Sequence, residues 1–365
     1  MPLARTTRRA LLPVALAAIF AAALAPARTQ TTNPAAQQPA PPPQATPSPS
    51  PVRLNVSVTD ERGRPVTDLK QEDFRVAEDG APQTIDFFGS ARQPLSYVLL
   101  VDNSGSLRQL IPFVIETALS FVVNNAEGDE GSVVRFVAND NITLVQDFTP
   151  ERRLLERALH GLYVEGGQTA LLDAVYVAVQ HVEKRRPDEP NRVRAVVVFT
   201  DGEERGSTVS RDELLTLLRR TGVQVFPVGY VNLLSREGSF IRRPPREQAV
   251  KLLETMASES GGRAFFPKNN SELPLAVADI AETLRKQYTL GYTPTNAAQD
   301  GAFRKLKVTL AETAAGRGKL NVSARAGYKA PGHTDGEKRK RAEAEMDRIE
   351  REMKEAKKKQ QSKPR

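Results

Sequence analysis

Apolar positions alternate strictly at Val52, Leu54, Val56 and Val58, with Arg53, Asn55 and Ser57 between them. A period of two puts every apolar side chain on one face, which predicts a half-buried strand turned by Asp60-Glu61-Arg62-Gly63. Phe74 and Val76, the Asp79-Gly80 turn, then Ile85 and Phe87 predict a hairpin-like pair of the same kind. After Ala91 the pattern changes to continuous Val-rich runs: 97–101, 132–137, 142–145, 195–199, 223–228 and 264–266. Continuous rather than alternating runs are what a sheet covered on both faces requires. Between them lie segments of helical period at 107–124, 151–159, 170–182, 211–220, 246–259 and 271–285. Strands alternating with helices predict an open, doubly wound, mostly parallel α/β sheet, whose ligand site belongs at the carboxyl ends of the strands.

Alternation then returns at Tyr288, Leu290 and Tyr292, at Leu306, Val308 and Leu310, and at Leu320, Val322 and Ala324. About three antiparallel-type strands on each side of the α/β unit are too few for two stable sheets, but together they make one small sandwich. The expected organisation is an α/β domain at 93–285 inserted into an antiparallel β-sandwich formed by 52–92 and 286–330. Two separate β modules would each leave exposed edges.

Three segments carry the candidate chemistry. The first α/β strand runs into Asp102-Asn103-Ser104-Gly105-Ser106, which sets a carboxylate and two hydroxyls in a strand-to-helix turn. These are hard oxygen ligands for a hard cation, although Asp and Ser are also favoured helix caps. Gly166-Gly167-Gln168-Thr169 places a Thr hydroxyl at the start of another helix, and Thr200-Asp201-Gly202 ends a buried strand in an Asp. All three leave the carboxyl side of the predicted sheet, so Asp102, Ser104, Ser106, Thr169 and Asp201 can converge on one point of the crevice. Rim positions follow the same strands: Asn139, Asp140, Glu165 and Glu203, with Asn141, Glu204 and Arg205 beside them. A longer insert, 232–246, carries Arg236, Arg242, Arg243 and Arg246.

The spacing D-x-S-x-S, then T, then T-D-G resembles the metal-ion-dependent adhesion site (MIDAS) of von Willebrand factor A (VWA) domains, across roughly residues 93–285. The flanks from Val56 to Gly80 and from Tyr288 to Tyr328 are similar to those of an exported bacterial "VWFA-related" family. The resemblance implies Mg²⁺ held by Asp102, Ser104, Ser106, Thr169 and Asp201, directly or through water, with Mn²⁺ or Ca²⁺ as alternatives. It also implies a protein ligand that offers an Asp or Glu to the incompletely neutralised ion.

Composition narrows the choice. The 365 residues contain no cysteine, which excludes a disulfide scaffold, a thiolate zinc site and a Cys nucleophile. The net charge of +8 would suggest nucleic acid, but nearly all of the excess lies in the two terminal segments and the body is close to neutral. Residues 1–27 read as an export signal, with Arg5, Arg8 and Arg9 ahead of an apolar run from Leu11 to Leu24 and a cleavage site at Ala25-Pro26-Ala27. That run is shorter than the roughly 18 to 20 residues needed to span a bilayer, so membrane contact is expected only if the signal stays uncleaved. Residues 28–51 have the composition of a Pro/Ala/Gln-rich linker. Residues 331–365 read as a charged helical or disordered tail, with a short seam of Ala342, Met346, Ile349, Met353 and Ala356. The expected location is therefore the periplasm, the cell surface or the medium.

An enzyme is the weaker expectation. Serine hydrolysis needs G-x-S-x-G and a reachable His, but Asp102 occupies the first Gly position, and His160, His181 and His333 are poorly placed. No G-x-G-x-x-G or Walker A loop is present. The serious rival to an adhesion-type module is an envelope scaffold in which a metal only stabilises loops.

Overall fold

The computed structural model describes residues 51–189, 191–235, 244–312 and 318–332. The export signal, nearly all of the linker, most of the tail with His333, and Arg236, Arg242 and Arg243 lie outside the described residues. No helix among the described residues is long and apolar enough to cross a membrane.

The strands are β1 (Val52–Thr59), β2 (Phe74–Glu78), β3 (Ala81–Gln83), β4 (Phe87–Gly89), β5 (Leu95–Asp102), β6 (Glu130–Phe136), β7 (Ile142–Thr149), β8 (Val193–Thr200), β9 (Gln224–Gly229), β10 (Tyr288–Tyr292), β11 (Phe303–Leu310), β12 (Asn321–Ser323) and β13 (Gly327–Lys329). The helices are α1 (Ile111–Val123), α2 (Arg152–His160), α3 (Leu171–Glu183), α4 (Arg211–Thr221), α5 (Pro245–Ser260) and α6 (Leu273–Arg285).

Five strands form the central sheet in the order β7-β6-β5-β8-β9. All neighbours are parallel except the β6–β7 pair at one edge. Successive side chains of a strand point to opposite faces, so the unbroken apolar run of β5 feeds two cores. Tyr97, Leu99 and Val101 pack with α1, α2 and α6, while Val98 and Leu100 pack with α3, α4 and α5. Ser210 caps α4 in a reciprocal capping box with Glu213.

The flanking strands form two antiparallel sheets, β12-β1-β10-β4 and β13-β11-β2-β3. Each sheet draws strands from both sides of the α/β unit: β1 pairs with β10 and β2 pairs with β11. The fold is therefore a doubly wound α/β sheet inserted into a β-sandwich. The inward residues of β1 and β10, with Phe74, Val76 and Leu306, make the sandwich core, and the rings of Phe74 and Tyr288 lie 5.0 Å apart.

Two local expectations need correction, and one strand was not foreseen. The hairpin partner of β2 is 81–83, not 85–87. Asp79 and Gly80 both take positive φ, 49° and 87°, which closes a two-residue turn and sets Glu78 directly opposite Ala81. Phe87 and Phe88 then cross to the other sheet and pair with β10. The run 264–266 makes only a single bridge, Phe265 to Val228, and not a strand. β13 has no alternation long enough to announce it and is held by pairing with β11.

At the amino end of the sheet, Glu130 is buried and accepts hydrogen bonds from Arg185 Nε and Nη2 at 2.8 and 2.6 Å and from Ser96 Oγ at 2.7 Å. Burial alone would raise this carboxyl, but the bonds from Arg185 and Ser96 outweigh it and hold the group at about 2. Because that value lies below the unfolded one, the stabilisation is complete above about pH 4.5 and is lost as the pH falls through about 2. Glu130→Gln should cost about 3 kcal/mol in urea unfolding at pH 7. The difference from the parent protein should shrink steadily below pH 4.5; a constant difference across that range would contradict this account.

Candidate metal centre

The sheet order reverses around β5, because the chain moves first to β6 and β7 and then to β8 and β9 on the other side. Open α/β sheets have a crevice at such a switch point, at the carboxyl ends of the strands. Asp102 ends β5 and Asp201 follows β8, its parallel neighbour. Both are fully buried, and Ser104 and Thr169 are nearly so.

Among the four carboxylate oxygens of Asp102 and Asp201, the hydrogen bonds of the described residues leave one unused. Asp102 Oδ1 accepts from Ser104 N–H at 2.9 Å, and its Oδ2 accepts from the Thr200 hydroxyl at 2.8 Å. Asp201 Oδ1 accepts from Glu203 N–H at 2.9 Å, whereas Asp201 Oδ2 is buried with no hydrogen-bond partner. The Ser104 and Ser106 hydroxyl oxygens stand 3.0 Å apart. Among the described residues no Lys, Arg or His forms an ion pair with either aspartate. Burial pushes the Asp102 carboxyl up to about 7. The bonds from Ser104 and Thr200 oppose that shift, and the charge of Asp201 reinforces it.

Two buried carboxylates without a cationic side chain are costly to ionise. An unpartnered buried carboxylate oxygen, a second carboxylate and adjacent hydroxyls form an all-oxygen donor set that suits a hard divalent cation. The residues present thus fit the ion implied by the motif. Among the described residues no three His, Cys, Asp or Glu side chains gather into a metal-holding group, so a cation here must depend on the serine and threonine hydroxyls.

Backbone ties hold the loops. Asn103 N–H bonds Phe136 O at 2.9 Å, its side-chain amide donates to Tyr163 O, and its carbonyl accepts from Glu165 N–H at 2.8 Å. Ala170 N–H bonds Val137 O at 2.9 Å, while Arg205 and Gly206 N–H both bond Thr169 O. Glu204 accepts from Leu172 N–H at the start of α3, and Asp173 accepts from Thr208 and Val209 N–H. Gly202 has φ +81°, and a Cβ there would stand 2.8 Å from that of Ala249, so only glycine lets the chain leave Asp201 in this direction.

Two residues in these loops had no assigned role in the sequence: Thr200 orients Asp102, and Asn103 ties three loops together. Glu204, expected beside the rim, instead bonds inward and pins the 203–207 turn. Thr200 had a signal, since it belongs to the quoted T-D-G segment; Asn103 and Glu204 act through partners distant in sequence.

The rim residues separate into two groups. Asn139 and Asp140 are exposed. Glu165 is engaged internally: it pairs with Arg135 at 2.9 Å and accepts from the Asn141 amide. Hydrogen bonds from Tyr163 and Arg135 hold its carboxyl below the usual range. Glu203 pairs with Arg205 at 2.6 Å.

A Ser-His-Asp grouping elsewhere lacks triad geometry. Ser132 Oγ and Asp147 Oδ1 both approach the same His181 nitrogen, Nε2, at 3.4 and 3.3 Å. A triad uses the two ring nitrogens separately, and the Ser132 hydroxyl already donates to Gln146 O.

Comparison with known proteins adds the following. No curated protein matches the chain. Solved structures with partial likeness include an aerotolerance-related membrane protein from Bacteroides fragilis, with 19% identity, 53% of this chain and 99% of that one covered, and a TM-score of 0.40. Another is a von Willebrand factor type A protein from Catenulispora acidiphila, with 10% identity, 80% and 76% covered, and a TM-score of 0.43. A third is proximal thread matrix protein 1 from the mussel byssus with a zinc-occupied MIDAS motif, with 16% identity, 57% and 49% covered, and a TM-score of 0.41. The model of the von Willebrand factor type A domain matches residues 98–280, half of the chain. That span contains Asp102, Ser104, Ser106, Thr169 and Asp201, and the chain belongs to the von Willebrand factor type A domain family.

Proposed function

We propose that this protein is an exported, metal-dependent protein-binding module of adhesion type, and not an enzyme. In this reading Asp102, Ser104, Ser106, Thr169 and Asp201 hold a divalent cation, with Mg²⁺ the first expectation. The single observation that carries the proposal is the buried, unpartnered Oδ2 of Asp201 in the same crevice as Asp102 and the paired serine hydroxyls.

When bound, the cation supplies a positive centre with exchangeable water positions at which a partner's Asp or Glu carboxylate can bind. The chain's own residues do the rest. Thr200 fixes the orientation of Asp102, and the Glu203 N–H orients Asp201. Two ionised carboxylates only just balance the charge of a divalent ion, and because the remaining donors are neutral hydroxyls and water, a partner carboxylate can take a water position without meeting excess negative charge. Glu165 and Glu203 are paired with Arg135 and Arg205, which keeps them from competing with an incoming carboxylate. Asn139 and Asp140, exposed on the rim, are the positions proposed to contact the partner. Location in the periplasm, on the cell surface or in the medium rests on the composition of residues 1–27.

Direct metal binding comes first. Mg²⁺ or Mn²⁺ should raise the unfolding temperature, EDTA should reverse the rise, and Asp201→Ala should abolish it while the protein stays folded. Calorimetry that shows no divalent-ion binding to the parent protein would end the metal assignment. Thr200→Val keeps the side-chain shape but removes the donor to Asp102, and it should weaken metal affinity about tenfold. Unchanged affinity would remove Thr200 from the site. Partner binding is then tested with envelope or surface extracts in Mg²⁺, in EDTA and with Asp201→Ala. Capture lost under both treatments supports adhesion; capture indifferent to both assigns the protein to the scaffold role instead.

A further inference from the structure

At the opposite end of the α/β sheet from the metal centre, the sandwich meets the base of the α/β domain around a cavity of about 200 Å³, with a side pocket of about 30 Å³. Asn191, Arg192 and Arg194 at the start of β8 and Thr221-Gly222 at the end of α4 line one side. Arg53, Asn55, Thr289 and Arg325 of the sandwich line the other.

The charge in this space is unbalanced. Arg192 is compensated, since its Nε bonds Glu189 at 2.7 Å. Arg53, Arg194 and Arg325 form no ion pair with any carboxylate among the described residues. Arg194 donates only to the backbone carbonyls of Arg185, Arg186, Glu189 and Arg192, and Glu183, Asp188 and Glu189 act on it at longer range. Arg325 Nη2 donates to Arg53 O at 3.1 Å, and its Nε is buried without a partner. Tyr292 and Tyr328, the titratable groups nearest to Arg325, are kept as neutral phenols by burial, and burial also disfavours the protonated form of Arg325. Gly222 lets the guanidinium approach, because a Cβ there would stand 3.3 Å from Arg325 Nη1. Arg53 lies over the Phe87 ring at 4.1 Å, which restrains an otherwise exposed side chain at the mouth.

We propose that this junction is an anion site for a tetrahedral oxyanion of the phosphate class, held by Arg325 and Arg53, with Arg194 adding charge and Asn55 and Thr289 adding polar contacts. Planar guanidinium forks match the oxygens of such an ion, and the unpaired charges of Arg53 and Arg325, with Arg194 offset only at longer range, favour a multiply charged anion over chloride. The bound ion would bridge the inserted domain and its sandwich. The site is independent of the metal centre, because no residue is shared.

The test is thermal unfolding and calorimetry of the full chain in phosphate against chloride at matched ionic strength and in EDTA. Phosphate at about 100 times its dissociation constant should raise the midpoint by several degrees, about 5 °C or more. The increment should fall at least severalfold in Arg53→Gln, whose exposed position protects folding. Asn55→Asp places a carboxylate in the cavity with no change of shape; it should raise the midpoint without phosphate and cancel the phosphate increment. A parallel arm uses flotation with phosphatidylglycerol vesicles. Flotation lost in Arg53→Gln assigns the phosphate to a lipid headgroup, and stabilisation by inorganic phosphate without flotation assigns it to the free ion. No effect beyond chloride in either arm, or an effect unchanged in both variants, overturns the proposal.

Discussion

Two carboxylates, Asp102 and Asp201, sit fully buried at the carboxyl end of neighbouring parallel strands, with no basic side chain among the described residues to neutralise them. In a low-dielectric interior this is one of the costlier arrangements available to a folded chain. The Asp102 carboxyl responds by holding its proton up to about 7. Much of the surrounding structure lessens this cost: the Thr200 hydroxyl and the Ser104 and Glu203 amides all point at carboxylate oxygens. One oxygen, Asp201 Oδ2, is left over. Such a cost next to serine and threonine hydroxyls is what the proposed divalent cation would relieve.

That organisation needs loops that do not drift. Asn103 does this with its N–H on the end of β6 and with its side-chain amide and carbonyl both on the 163–165 segment. Gly202 permits the tight exit from Asp201 that brings Glu203 N–H onto its carboxylate. The rigid layer beneath them is the doubly packed sheet, where the alternating sides of β5 are gripped by α1, α2 and α6 on one face and by α3, α4 and α5 on the other.

The sandwich gives the inserted domain a base. Gln287 Nε2 donates to Gln224 Oε1 at 2.9 Å, joining the link into β10 to β9, and Arg325 reaches across to Gly222 at the end of α4. Polar and cationic groups dominate this junction, in contrast to the apolar cores on either side.

Periodicity in the chain was sufficient to specify the class of fold, because the change from alternating to continuous apolar runs follows directly from how many faces of a sheet are covered. It also located the five candidate ligands, since each lies where a Val-rich strand or a glycine pair runs into a helix. Tertiary structure alone decided what depends on partners distant in the chain. The Asp79-Gly80 turn selected 81–83 as the hairpin partner and sent Phe87 to the other sheet. β13 exists only because β11 offers it an edge. Thr200 and Asn103 gained their roles from loops brought together by the sheet, and Arg53, Arg194 and Arg325 became a cluster only when the sandwich closed on the domain inserted within it. Patterning is a local property that a sequence displays openly; the pairing of a buried charge, or its lack of a partner, is a property of three-dimensional neighbours.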